Sequence, residues 1–236
     1  MDWLSLLLAA GIVVGSYFIG GIPWGVVVAR LVGGPDPRTL GSGRTGGANV
    51  LRALGPRWAL TSGLLDMLKG TAAVLLARVL GMGPWVEVLA AAAAIIGHSR
   101  SPYLRLGGGR GVSVGYGALL VISPLLALAT IPFFLGIIVA TGYSSLGSLS
   151  ASLASGVALA IITVATNGSP AYLAYAAAGV ALIWGFHLDN IQRLVAGTER
   201  KIDWRRRGGG SPDAPSPGAE QPGPPSPGAP GDRPRA

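Results

Sequence analysis

From Gly111 to Leu188 the chain carries no Asp, Glu, Lys or Arg, a run of 78 residues without a formal charge. A soluble domain cannot be built that way, because roughly a quarter of its residues are charged and supply its wetted surface. The whole chain agrees. Of 236 residues half are hydrophobic and only 12% charged, and the mean hydropathy is +0.53. That composition predicts a polytopic membrane protein. The net charge of +8 sits among too much apolar sequence for a nucleic-acid binder, so no nucleic-acid partner is expected. The absence of cysteine excludes disulfides, thiol catalysis and Cys-ligated metals. With His98 and His187 the only histidines, a purely histidine metal cage is excluded as well.

The spans follow from apolar length and from breakers. A first run, Leu4 to Val32, leads with Asp2 rather than a basic cluster and is too long for a signal peptide. It also exceeds the ~20 residues a span needs, so it must tilt or bend, with Gly20, Gly21 and Pro23 marking the bend. Further runs extend from Trp58 to Leu80 and from Pro84 to Ile96. The charge-free stretch is broken at Ser123-Pro124, at Thr141-Gly142-Tyr143 and at Asn167-Gly168-Ser169-Pro170, which divides it into four pieces. Seven spans result. Residues 208–236 hold half of the 18 prolines and no aromatic residue. They cannot bury enough apolar area to offset their ordering entropy, and are expected to be a disordered tail behind a membrane domain of residues 1–207.

Basic residues form three clusters: Arg30, Arg38, Arg44, Arg52 and Arg57; Arg100, Arg105 and Arg110; and Arg193, Arg200, Lys201 and Arg205 to Arg207. The positive-inside rule puts all three in the cytoplasm. Two spans separate the first pair and an even number must separate the second, so four fit and three do not. The expected architecture is an all-α integral membrane protein of seven transmembrane helices, N-terminus outside and C-terminus cytoplasmic. Only Arg78 is left near an outer loop.

Three polar segments then share the cytoplasmic face. The first, DPRTLGSGRTGGANVLRALG, contains a literal GxGxxG, but a membrane helix precedes it where a Rossmann unit needs a strand. Its glycines let a ligand approach the backbone, Ser42, Thr45 and Asn49 offer neutral hydrogen bonds, and Arg44 and Arg52 offer forks suited to phosphate. The second runs from Gly97-His98 to the turn Gly107-Gly108-Gly109-Arg110-Gly111, which opens into a helix and makes a candidate anion site. The third is HLDNIQRLVAGTERKI, where His187, Asn190 and Arg193 share a face at helical spacing. Each segment also has a plainer reading as a positive-inside loop or interfacial helix. Tyr143, Ser144, Ser145 and Ser148 begin the sixth span on that same side. Asp66 and Lys69, buried in the second run, form either a structural ion pair or part of the site.

These segments resemble the bacterial acyl-phosphate:glycerol-3-phosphate acyltransferases, from about Tyr17 to Ile202. The family's GSGN-type loop ending in GATNVLR-x-LG is GSGRTGGANVLRALG here. Its Asp-x-Leu-Lys-Gly segment is Asp66 to Gly70. Its Gly-His and KGGKGV-type turn are Gly97-His98 and GGGRGV. Its His, Asn-Ile, Arg-Leu and Gly-x-Glu are His187, Asn190-Ile191, Arg193-Leu194 and Gly197 with Glu199. The chain departs from the pattern at Arg44, at Gly46-Gly47-Ala48, where a hydroxyl is missing, and at Gly107 and Arg110, where the family carries Lys. The cationic, glycine-rich character is kept.

The resemblance implies acyl transfer from an acyl phosphate to the 1-hydroxyl of glycerol 3-phosphate, in a bacterial inner membrane with the site facing the cytoplasm. Lysophosphatidic acid and phosphate are the products, in the first acylation of phospholipid synthesis. It assigns His187, Asn190 and Ser145 to catalysis. Ser42, Arg44, Thr45, Asn49, Arg52, Lys69, His98, Gly108, Gly109, Arg110, Gly111, Ser148 and Arg193 are assigned to substrate binding. No metal or cofactor is expected, and the partners are the two anionic substrates and membrane lipid. A mixed anhydride needs positioning and charge stabilisation more than a covalent nucleophile. No Ser-His-Asp arrangement is visible. The H-x-x-x-x-D signature of another acyltransferase class is absent, since Tyr103 and Gln192 stand at that offset from His98 and His187. From the residues alone, a membrane carrier for a small organic phosphate is the alternative.

Overall fold

The computed structural model describes residues 2–202, and these fold into ten α-helices with two 3-10 turns and no strand among them. The expected tail and the basic residues Arg205 to Arg207 lie outside the described residues. The helices are α1 (Trp3–Gly21), α2 (Trp24–Leu31), α3 (Gly47–Leu54), α4 (Pro56–Val79), α5 (Pro84–Ser99), α6 (Val112–Ile122), α7 (Pro124–Thr141), α8 (Ser144–Ala165), α9 (Pro170–Gly185) and α10 (Leu188–Val195).

Their boundaries are written locally. Proline opens α4, α5, α7 and α9, where its missing N–H has no helical partner to lose. Asp2 caps α1 through the Ser5 amide at 2.8 Å, and Gly142 ends α7 in the left-handed region at φ 79°. The long first run breaks as expected, with α1 ending at Gly21 and α2 starting at Trp24. All three expected breaks in the charge-free stretch are helix boundaries.

The bundle is turned inside out relative to a soluble protein. Ala90, Ala91 and Ala94 are completely buried, while Leu89 and Trp85 on the same helix are exposed. Leu125, Val139, Ile161 and Val164 also face outward. Small residues inside and large apolar ones outside is the pattern of helices packed in lipid. By length and hydropathy α1, α4, α7 and α8 can each cross a membrane, and α9 with α10, bent by 63°, makes a fifth candidate. At 16 and 11 residues, α5 and α6 are shorter than the ~20 of a full span.

At the centre α4 packs on α5 and α6, and α5 on α9; α1 lies against α5, and α7 and α8 form a hairpin against α9. Glycines set these distances. A Cβ on Gly70 would run into the Val114 carbonyl, one on Gly117 into Met67, and one on Gly97 into Tyr17. Two ionic clamps add to the packing. Lys69 donates to the carbonyls of Gly20 at 2.8 Å and Ile22 at 2.7 Å, which the break between α1 and α2 leaves without helical donors, and pairs with Asp66 at 2.8 Å. Arg78 pairs with Glu87 at 2.7 Å, donates to the Val121 carbonyl, and shares Glu87 with the Tyr172 hydroxyl. That accounts for the basic residue expected near an outer loop: its charge is neutralised where it sits.

Candidate active site

The three basic segments meet at one end of the bundle. Arg110, in the turn before α6, pairs with Asp189 of α10 at 2.8 Å, and Arg193 reaches the same carboxylate oxygen at 3.2 Å. Arg52 of α3 lies beside Arg200, and burial together with that neighbour pushes its pKa below the ordinary value. The residue after α10 that closes the assembly is Ile202, whose amide donates to the Gly142 carbonyl at 2.8 Å.

Between them opens a cavity of about 680 Å³. Ser42, Arg44, Asn49, Arg52, His98, Gly109, Arg110, Gly111, Ser145, Ser148, His187, Asn190 and Arg193 all line it. Three expected residues do not. Thr45 is buried, and its carbonyl packs on Gly25 of α2. Gly108 packs against the His98 carbonyl. Lys69 is not in the lining: it holds the α1–α2 break and stands behind Asp66 and His98, whose Nδ1 is 3.2 Å from its Nζ and both of which do face the cavity. The choice between structural pair and site residue is thus divided between the two.

Individual roles differ from what residue type alone suggests. Asn49 ties the first loop together: its Nδ2 donates to the Arg44 carbonyl at 2.9 Å and to Ser42 Oγ at 3.2 Å, and its Oδ1 accepts from Arg52 at 2.9 Å. The Gly109 amide donates to the His98 carbonyl at 3.0 Å, so this glycine N–H builds the turn and does not face a ligand. His187 caps α10 beyond the end of α9 and is 2% exposed. Its Nδ1 lies 2.7 Å from the Ile183 carbonyl. A carbonyl can only accept, so Nδ1 carries the hydrogen and Nε2 is the bare acceptor of the neutral ring. Burial keeps the ring neutral by pushing its pKa down to about 4.

Glu199 and Arg200 also line the cavity and were not among the expected site residues. Glu199 Oε1 accepts from Ser145 Oγ at 2.9 Å and from Asn190 Nδ2 at 2.6 Å, and Oε2 accepts from Arg193 Nε at 2.7 Å. Burial raises its pKa, but the bonds from Asn190, Arg193 and Ser145 outweigh that and hold the carboxylate below its usual range. The Gly-x-Glu of the third motif was the signal for it. Its contact with Ser145 crosses 54 positions of sequence and carries no local trace.

Five arginines against two carboxylates leave the lining in positive excess. Among the described residues, buried Arg110 Nε and Asn190 Oδ1 have no partner. The site therefore presents forked cations for phosphate, and acceptors at Asn190 and His187 for a hydroxyl. Among the described residues no group of three His, Asp or Glu is placed to hold a metal.

Residues 10–197 match the family described as Glycerol-3-phosphate acyltransferase. The chain belongs to the glycerol-3-phosphate acyltransferase family. A relative of that name from Rubrobacter xylanophilus is 39% identical over 196 residues, covering 83% of this chain and 96% of its own. The fold matches the crystal structure of PlsY (YgiH), an integral membrane glycerol 3-phosphate acyltransferase, in its glycerol 3-phosphate form. The TM-score is 0.75 with 33% identity, over 83% of this chain and 96% of that one. The lysophosphatidic acid form of PlsY matches with TM-score 0.74 and 32% identity, over 83% and 95%. With these relatives and its lipid-facing Leu and Val surface, this acyltransferase-family chain is a multi-pass membrane protein.

Proposed function

We propose that this member of the family acylates the 1-hydroxyl of glycerol 3-phosphate with an acyl phosphate as donor, releasing lysophosphatidic acid and phosphate for phospholipid synthesis. The observation that carries the reading is that a single cavity joins five arginines and His187 to a long apolar arm between α4, α6, α7, α8 and α9. Two anionic heads and one alkyl tail are what such a cavity suits. The substrate oxygen attacks the acyl carbon and the bond from that carbon to the phosphate oxygen breaks. The hydroxyl proton goes to His187 Nε2 or to the substrate's own phosphate. Arg44, Arg52, Arg110, Arg193 and Arg200 hold the phosphates, a task in which each charge-assisted bond contributes ~1.5–3 kcal/mol. Ser145 and Asn190, both tied to Glu199, fix the attacking hydroxyl.

The orientation proposed is seven crossing segments, α1 and α4 to α9, with N-terminus outside and the cavity's charged end in the cytoplasm of a bacterial inner membrane. It is supported by the gathering of the basic clusters at one end, with Arg78 neutralised away from them. The 208–236 tail is proposed to add nothing to the site.

Purified protein supplied with glycerol 3-phosphate and palmitoyl phosphate should form lysophosphatidic acid and one equivalent of phosphate. Turnover with an acyl thioester and none with acyl phosphate would overturn the donor. Uptake of an organic phosphate into sealed vesicles without product would overturn the enzyme reading.

A further inference from the structure

The cavity runs on from the arginines along one face of α8. Ser145, Ser148, Ser152, Ser155 and Gly156 recur there at steps of mostly three and four residues, and no large side chain intrudes. Leu159 is the first bulky residue of α8 in the lining. It is 3% exposed and belongs to a core cluster with Leu119 and Tyr175. The Tyr175 hydroxyl donates to the Gly115 carbonyl in the first turn of α6 at 2.6 Å, which fixes the Tyr175 ring of that cluster in place.

The depth can be estimated from helix geometry. From Ser145 to Leu159 α8 rises about 21 Å at ~1.5 Å per residue. An extended alkyl chain advances about 1.25 Å per carbon, from a carbon–carbon bond of ~1.5 Å and an angle of ~111°. The arm therefore takes about sixteen carbons between the charged end and the floor.

Across from α8, Gly179 of α9 lines the same arm, about 12 Å along the helix axis from His187. A Cβ on Gly179 would meet no atom within 4 Å. Gly115 and Gly156 are different: a Cβ on the first would touch Ile95 and one on the second Val180, so those glycines serve helix packing. At Gly179 a side chain would grow into the cavity, at a depth of about ten carbons.

We propose that Gly179 and Leu159 set the length of the acyl chain this protein accepts, Leu159 as the floor and Gly179 as the open point that lets a chain reach it. The proposal rests on the reading above, that the donor's tail lies in this arm.

The test is a chain-length profile of kcat/KM on purified full-length protein with octanoyl, dodecanoyl, palmitoyl and eicosanoyl phosphate. Wild type should peak near palmitoyl and fall at eicosanoyl. Gly179→Leu should keep octanoyl turnover and lose at least about tenfold on palmitoyl relative to octanoyl. Gly179→Ala should fall between, and Leu159→Ala should raise eicosanoyl relative to palmitoyl. If Gly179→Leu fails to fold, the two milder variants decide the matter through their opposite shifts. An unchanged profile in folded variants, or an equal loss at every length, would overturn the ruler. Wild type inactive with every acyl phosphate but active with another acyl donor would overturn the donor reading instead, and the same profile run with that donor would still judge Gly179 and Leu159.

Discussion

Arg110 is only partly committed to the fold: Asp189 accepts from its Nη2 at 2.8 Å while its buried Nε has no partner among the described residues. A phosphate at the charged end of the cavity would take that free donor. Arg110→Lys keeps the charge, and the family carries Lys at this place, so it should retain much of the activity. Arg110→Gln should lose a charge-assisted bond of roughly 1.5–3 kcal/mol, one to two decades in kcat/KM, in correctly inserted protein. Wild-type kinetics for that variant would reduce Arg110 to a topological anchor. His187 carries a second prediction. Its pKa is about 4 in the folded protein against 6.5 in an unfolded chain, so the unfolded state binds the proton first on acidification. The stability it contributes is complete above pH 6.5 and is lost as pH falls toward 4, by up to ~1.4 kcal/mol per pH unit. The thermal midpoint in detergent should drop from about pH 7 to about pH 5, and His187→Gln should flatten that slope. Equal slopes in both proteins would show that the ring is not kept neutral.

At the scale of elements, the helix ends were legible because their causes are local. Pro84, Pro124 and Pro170 each stand at the first position of a helix, and Gly142 supplies the left-handed residue that ends one. Less legible was how closely helices approach. Gly117 allows α6 to touch the α4 backbone at Met67, and a methyl group there has nothing flexible to displace. Gly117→Ala should therefore destabilise by about 1–3 kcal/mol, read as a lower thermal midpoint in detergent. Gly136 on α7 is the contrast. A Cβ there would meet nothing within 4 Å, so Gly136→Ala should leave stability unchanged or raise it by up to ~1 kcal/mol. If the two variants behave alike, close α4–α6 contact is not what Gly117 is for. The sequence alone treats both as glycines in apolar helices.

For the whole molecule the proposed orientation has a direct test. A reporter fused at Asp2 should read as external and one after Arg207 as cytoplasmic. Both on one side would refute seven crossings, and with them the placement of the charged end. Seven crossings require α5 and α6 to cross although both are shorter than a full span. α6 starts after a glycine turn pinned under His98 and is followed after Ser123 by α7, so its length is limited at both ends by its neighbours. In a bundle where Gly70 and Gly117 bring α4 and α6 into backbone contact, a short helix is shielded by longer ones and need not span lipid alone.

Composition, hydropathy and breakers were enough to determine a lipid-embedded helical bundle and its breaks, and the two glycine-arginine loops and the His187 segment were legible as motifs through their resemblance to the family. These are properties of neighbouring residues: hydropathy over a window, a proline's missing N–H, a glycine's freedom at positive φ. Only the tertiary structure decided which polar groups face one another. Ser145 meets Glu199 across 54 positions, Arg110 meets Asp189 across 79, and Lys69 reaches back 49 to Gly20. Such pairs depend on how each helix is rotated and tilted against the next. That is set by the summed packing of small residues along whole helices and is written in no local stretch of the chain.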